Sequence, residues 1–177
     1  MRIAVVTAIV VGVAGSAGAE PPRALRVSAD AVLPLPAWDQ RAGLGLGGSV
    51  AVAVALTPTI DVTARVGVVS HLGVAAGGVT TRVLEAPIVG GARYRAVDRG
   101  RAQGFVFGEV GLVATRTTVT AGALGDHQSA VRFAAALGGG VAYRRVDLRV
   151  AAWLADLADR DHGVGVTAAI GVELIRW

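Results

Sequence analysis

Cysteine, lysine and asparagine are absent from the 177 residues. Without cysteine there is no disulfide and no thiolate metal site, so packing and hydrogen bonding must hold the fold. Without lysine, all seventeen basic residues are arginine, and alanine, glycine and valine are abundant, the coding bias of a GC-rich genome. The arginines are dispersed rather than gathered with aromatics on one face. That argues against a nucleic-acid partner despite the formal net charge of +4. Aromatics are scarce at 5% and charges at 17%, while 53% of the chain is apolar. Either something apolar surrounds this chain, or it buries an unusually large share of itself.

Residues 1–19 have the pattern of a secretory signal peptide. Arg2 gives a positive start, an apolar run follows, and Ala17-Gly18-Ala19 is a small-x-small cleavage site. The run is short for a membrane-spanning helix, which needs about 20 residues. No cysteine follows the site, so a lipid anchor is not expected. Cleavage after Ala19 leaves residues 20–177, the length of one domain.

Beyond that point the dominant signal has a period of two. Leu44, Leu46, Val50, Val52, Val54 and Leu56 alternate with Gly45, Gly47, Ser49, Ala51, Ala53 and Ala55. Side chains alternate across a strand, so one face is large and apolar and the other small. Thr57-Pro58-Thr59 breaks the run. Then Ile60, Val62, Ala64, Val66 and Val68 oppose Asp61, Thr63, Arg65 and Gly67. Similar segments cover residues 25–35, 82–97, 105–119, 131–143, 146–154 and 164–177. The pattern predicts about eight strands of about ten residues, the length a transmembrane β-strand requires. Tight turns at 57–59 and 144–145 alternate with longer stretches at 38–43, 70–81, 121–130 and 156–163. Short turns at one end and longer loops at the other are the layout of an outer-membrane barrel. Residues 98–104 are longer than that scheme wants.

Two rival architectures use the same residues. Residues 42–60 carry no charge and are long enough for a spanning helix. Their glycines, strict alternation and Pro58 oppose that reading. A soluble periplasmic, lipocalin-like barrel would also alternate, with its apolar face inward. Yet the polar-side set here is mostly Gly, Ala and Ser with an isolated charge. That is a poor solvent face and a good filler for a narrow eight-stranded interior. The expected fold class is therefore all-β, a closed antiparallel up-and-down transmembrane barrel of about eight strands, with a polar interior.

The chain ends Leu174-Ile175-Arg176-Trp177, an aromatic terminus with an apolar residue two before it. With the glycine-rich strand, Thr-Pro-x-Ile-Asp turn and following strand at residues 45–65, this resembles the small outer-membrane β-barrel families. Those include the transmembrane domain of outer-membrane protein A and its single-domain relatives. The resemblance implies an outer-membrane location, contact with outer-membrane lipids and lipopolysaccharide, and an assembly signal at Ile175 and Trp177 read by the barrel-assembly machinery. Glu173 departs from the pattern, standing where a third apolar residue belongs. Either a bulge switches faces near the end, or Trp177 does not face lipid. Trp38, Tyr94, Phe105, Tyr143 and Trp177 are candidates for a sparse interfacial belt.

Chemistry is thinly signposted. His71, His127 and His162 fall in three long stretches, but no metal-binding spacing joins them. Ser70 and His71 are neighbours and so point to opposite faces of a strand, which is wrong for a nucleophile and base. No G-x-S-x-G elbow occurs. The acidic stretch 156–162 lacks the Gly and Glu of a calcium loop. No catalytic residue, cofactor or metal is expected. The best-motivated set is the inward charges: Arg26, Asp30, Arg65, Glu85, Arg93, Glu109, Arg132 and Arg149. The simplest partners are on adjacent strands, Arg65 with Glu85 and Arg132 with Glu109. These charges would form a plug of ion pairs. The alternatives are a narrow charged pore, a lipid-modifying enzyme and the soluble binding barrel. The role expected is structural or surface-interacting, in envelope integrity or adhesion.

Overall fold

The computed structural model describes residues 23–35, 42–122, 124–155 and 163–176. The signal-peptide segment, Trp38, His162, the acidic stretch 156–162 and Trp177 lie outside them. Every described element is a strand: β1 (Arg23–Pro34), β2 (Gly45–Ala55), β3 (Ile60–His71), β4 (Val74–Ala76), β5 (Val79–Arg99), β6 (Ala102–Ala121), β7 (Leu124–Tyr143), β8 (Val146–Ala155) and β9 (Gly163–Arg176). All pairings are antiparallel. The helical alternative for residues 42–60 is overturned, because Leu46, Val50 and Val52 take their places on a strand.

The sheet runs up and down in sequence order. β1 also pairs with β9, and β3 with β5, so each of the eight long strands has a hydrogen-bonded neighbour on both sides. Up to Ala134 of β7 no long strand is left with an open edge, the usual template for aggregation; beyond it, Leu124–Phe133 pair among the described residues with β6 alone. The β3–β5 ladder is interrupted between Val66↔Ile88 and Val69↔Glu85. Pro87 lies in that gap, and proline has no N–H to give to a ladder.

Three strands are twice the expected length: β5 has 21 residues and β6 and β7 have 20 each. The stretch 121–130, read as a loop, is mostly strand, with the reversal made at Gly122 (φ 59°). Residues 98–104 likewise close on a tight turn at Gly100 (φ 69°). Glycine alone among the residues adopts positive φ at little cost, so two single glycines replace what composition suggested were loops. Residues 70–81 hold the short β4 hairpin.

Alternation sorts the side chains as the pattern requires. Leu137 and Val110 are 72% and 66% exposed, whereas Glu85 and Asp61 are 1% and 2% exposed. The interior is not uniformly polar, as the sequence had suggested. Phe105, Phe107, Val113, Ala134, Ala136, Ala151 and Trp153 form an apolar cluster on the β6–β8 side. Phe105, a candidate for the interfacial belt, is thus inside, its ring 6.2 Å from that of Phe107. Tyr94 and Tyr143 are outside, about half exposed.

At the C-terminal end the pairing steps from Leu25↔Ile175 to Arg26↔Glu173, a bulge that leaves Leu174 over. The two residues beside it, Leu174 and Ile175, are both exposed, and Glu173 is buried. The bulge therefore resolves the departure at Glu173. It brings Ile175 to the apolar side without moving Glu173 out of the interior.

Candidate functional site: the charged interior

The buried side of the sheet carries charges at three levels. At the end where the tight turns lie, Asp61 and Arg93 are directly opposite in the β3–β5 register. Arg93 Nε donates to Asp61 Oδ2 at 2.9 Å, and Arg95 pairs with Asp61 Oδ1. The Arg93 guanidinium also lies over the Phe105 ring, 5.0 Å from its centroid. Glu173 faces Arg26 across β9 and β1 at 3.1 Å, and Arg176 approaches Glu173 at 2.8 Å.

At mid-depth Arg65 Nη2 meets Glu109 Oε2 at 2.5 Å, with Nε at 3.2 Å from the same oxygen. Arg149 reaches Ser28 Oγ at 2.9 Å and Asp30 Oδ1 at 3.5 Å, and lies 3.8 Å from Asp147. Towards the opposite end, His71 Nε2 stands 3.6 Å from Glu85 Oε2, and its Nδ1 is 2.8 Å from the Gly43 carbonyl.

The partners differ from the adjacent-strand expectation. Glu109 pairs with Arg65, two strands away across β5, and Glu85 lies by His71. Arg132 sits opposite Val113 in the register and is exposed, so it is not part of the buried set. His71 is not in a loop: it is the last residue of β3 and 3% exposed. His127 belongs to β7 and is exposed. Among the described residues no three or more His, Asp or Glu gather as a metal site would require. Asp61, Arg95, Asp147, Glu173 and Arg176 belong to the network although sequence reasoning left them out.

One rule explains the cross-strand pairs. Arg65 and Glu109 flank β5, where the inward residue opposite Glu109 is Gly91. Asp30 and Arg149 flank β9, and the residue between them is Ala169. A small residue in the middle strand lets an arginine lie across it. A Cβ on Gly171 would stand 2.9 Å from Asp147 Oδ1, inside contact distance. Burying charges costs several kcal/mol each unless they are paired, so these small residues are what makes the interior affordable.

No protein-family model and no curated protein matches the chain by sequence. Its structure does resemble solved ones. Ail, the attachment invasion locus protein of Yersinia pestis, aligns with a TM-score of 0.63 at 10% identity, over 89% of this chain and 99% of that one. A second Ail structure, in complex with the heparin analogue sucrose octasulfate, gives 0.57 at 11% identity over 89% and 99%. The N-terminal β-barrel domain of Pseudomonas aeruginosa OprF gives 0.54 at 12% identity over 88% and 98%. The inverted polarity, the up-and-down order and these likenesses agree: the chain has the fold of the small outer-membrane β-barrels.

Proposed function

We propose that this protein is a closed, eight-stranded transmembrane β-barrel of a bacterial outer membrane, with a structural or surface-interacting role and a side-chain-plugged interior. The observation that carries the reading is its inverted polarity. Exposed Leu, Val and Ile cover the outside, while paired Arg, Asp and Glu fill the inside. Water rejects so large an apolar surface, and lipid accepts it. A soluble lipocalin-like barrel has the opposite arrangement.

Surface interaction is favoured by β5, β6 and β7, whose outer ends, with the short β4 paired to β5, project as an exposed sheet. Thr80, Arg82, Arg116, Thr118, His127 and Ser129 share one of its faces. The plug is favoured over the pore because the inner cavities are small. Two of about 30 Å³ each hold little more than a water molecule, and Arg149 and Phe107 line both. An enzymatic role has no support in the geometry: Ser70 is exposed and His71 buried, on opposite faces. The proposed biogenesis is export with cleavage after Ala19, then insertion by the assembly machinery through Ile175 and Trp177. The bilayer contacts would be phospholipid and lipopolysaccharide.

Expressed with its leader, the protein should fractionate with outer membranes and stay folded in cold SDS, shifting mobility only on boiling. A soluble product without that shift would end the membrane reading. In planar bilayers the plugged form should give no discrete conductance steps; regular steps would replace the plug by a pore.

A further inference from the structure

The tight-turn end of the barrel holds an arrangement that a plug does not require. A cavity of about 90 Å³ is lined there by Arg23, Arg26, Arg93, Arg95, Arg176 and Asp61, with alanines completing the wall. Among the described residues, each nearby carboxylate is already shared. Asp61 serves Arg93 and Arg95, Glu173 serves Arg26 and Arg176, and Asp147 lies 3.8 Å from both Arg26 and Arg149. Among the described residues, five guanidinium groups thus face three carboxylates, one of them divided with a sixth arginine. Arg95 Nε is buried with no hydrogen-bond partner. A guanidinium carries five donors and accepts nothing, so the unmet capacity at this mouth is entirely for an acceptor of negative charge.

From this surplus we infer that the mouth is a receptor for a small oxyanion bearing a phosphate or carboxylate group. Guanidinium forks bind such groups with two parallel hydrogen bonds. The wall alanines leave room for the anion and offer it no competing acceptor. A cation is excluded by the same charges. More arginines stand around the mouth. Arg99 and Arg101 flank the β5–β6 turn and Arg144 and Arg145 form the β7–β8 turn, where Arg144 N donates to Arg101 O at 3.0 Å. They would raise the local anion concentration and speed encounter.

The test uses the full-length mature protein folded in nanodiscs of phosphatidylcholine, titrated calorimetrically with inorganic pyrophosphate. Saturable binding is expected, weakened by salt as screened charges require. The variant carrying both Arg23→Gln and Arg95→Gln should bind about tenfold or more weakly, the loss of charge-assisted hydrogen bonds. Arg82→Gln, at the far end, should bind as the parent does. Heat-dependent mobility in SDS reports whether each variant is folded, so a misfolded barrel is not mistaken for a lost site. In nanodiscs containing phosphatidylglycerol, loss of pyrophosphate binding identifies a lipid headgroup as the occupant, and unchanged binding identifies a free anion. No saturable binding in phosphatidylcholine, or binding that the double substitution leaves unchanged, overturns the inference.

Discussion

Glu109→Ala is expected to destabilise the folded barrel by about 3–5 kcal/mol in a urea titration from lipid vesicles, the cost of stranding a buried charge. Glu109 is 4% exposed and receives two donors from Arg65. Removing the carboxylate leaves the guanidinium in a confined space without the acceptor that holds it. Removing both charges with Arg65→Met and Glu109→Ala should recover part of the loss, since residues in one network couple by about 0.5–3 kcal/mol. Adding Arg132→Ala to Glu109→Ala should recover nothing, because Arg132 is exposed and four residues along the strand from the position facing Glu109. A near-silent Glu109→Ala would mean that the pair is solvated, at about 0–1 kcal/mol, and that this face is not enclosed.

That experiment also separates what the sequence disclosed from what it concealed. Which residues share the inward face follows from period two alone. Arg26, Asp30, Arg65, Glu85, Arg93, Glu109 and Arg149 all lie on the face the alternation assigns. Who pairs with whom does not follow, because it depends on register and on the reach of a side chain over a neighbouring strand. Arg65 crosses β5 over Gly91, a contact that no rule of adjacent strands anticipates. Arg132 keeps the inward parity but is exposed, two residues beyond Ala134, where the described pairing of β7 with β8 ends. Parity gives the face of a strand, not the depth along it.

The same distinction explains the loops. Residues 121–130 carry glycine, aspartate and histidine, and composition read them as a loop. In the fold they pair with β6 through Val119↔Asp126 and Thr118↔His127. A polar strand projecting from an apolar band has the composition of a loop, and only its pairing partner makes it a strand. Two of the network residues left out, Glu173 and Arg176, have a different cause. Glu173 and Arg176 are three apart, an odd spacing that puts them on opposite faces of a regular strand. The bulge at Leu174 restores them to one side, and a bulge leaves no mark in the alternation except an apparent error.

Three consecutive glycines in β7 provide the sharpest test of the faces, because Gly138-Gly139-Gly140 samples inward, outward and inward in turn. Gly140→Val should abolish the heat-modifiable folded species, while Gly139→Val should retain it. Gly140 lies opposite Phe105 in the register, and Gly138 opposite Phe107. A Cβ at Gly140 would stand 2.2 Å from the Leu148 carbonyl oxygen and 2.6 Å from Phe105 Cζ. Phe105 cannot simply move away, since it is 4% exposed, packed beside Phe107 and covered by Arg93. Overpacking a well-filled interior costs about 1–3 kcal/mol where side chains alone must shift. Here a backbone carbonyl of β8 is also in the way, so the β7–β8 ladder itself must open. At Gly139 the nearest atom to an added Cβ is the Phe105 carbonyl oxygen at 3.2 Å, followed by Val106 Cγ1 at 3.9 Å. A shift of a few tenths of an ångström accommodates that, and the valine side chain then joins Leu137 and Val141 on the apolar exterior. If both substitutions are tolerated alike, the Phe105 ring does not rest on Gly140. If both abolish folding, β7 has no free exterior face, and the alternation on which the barrel rests fails at its most glycine-rich point.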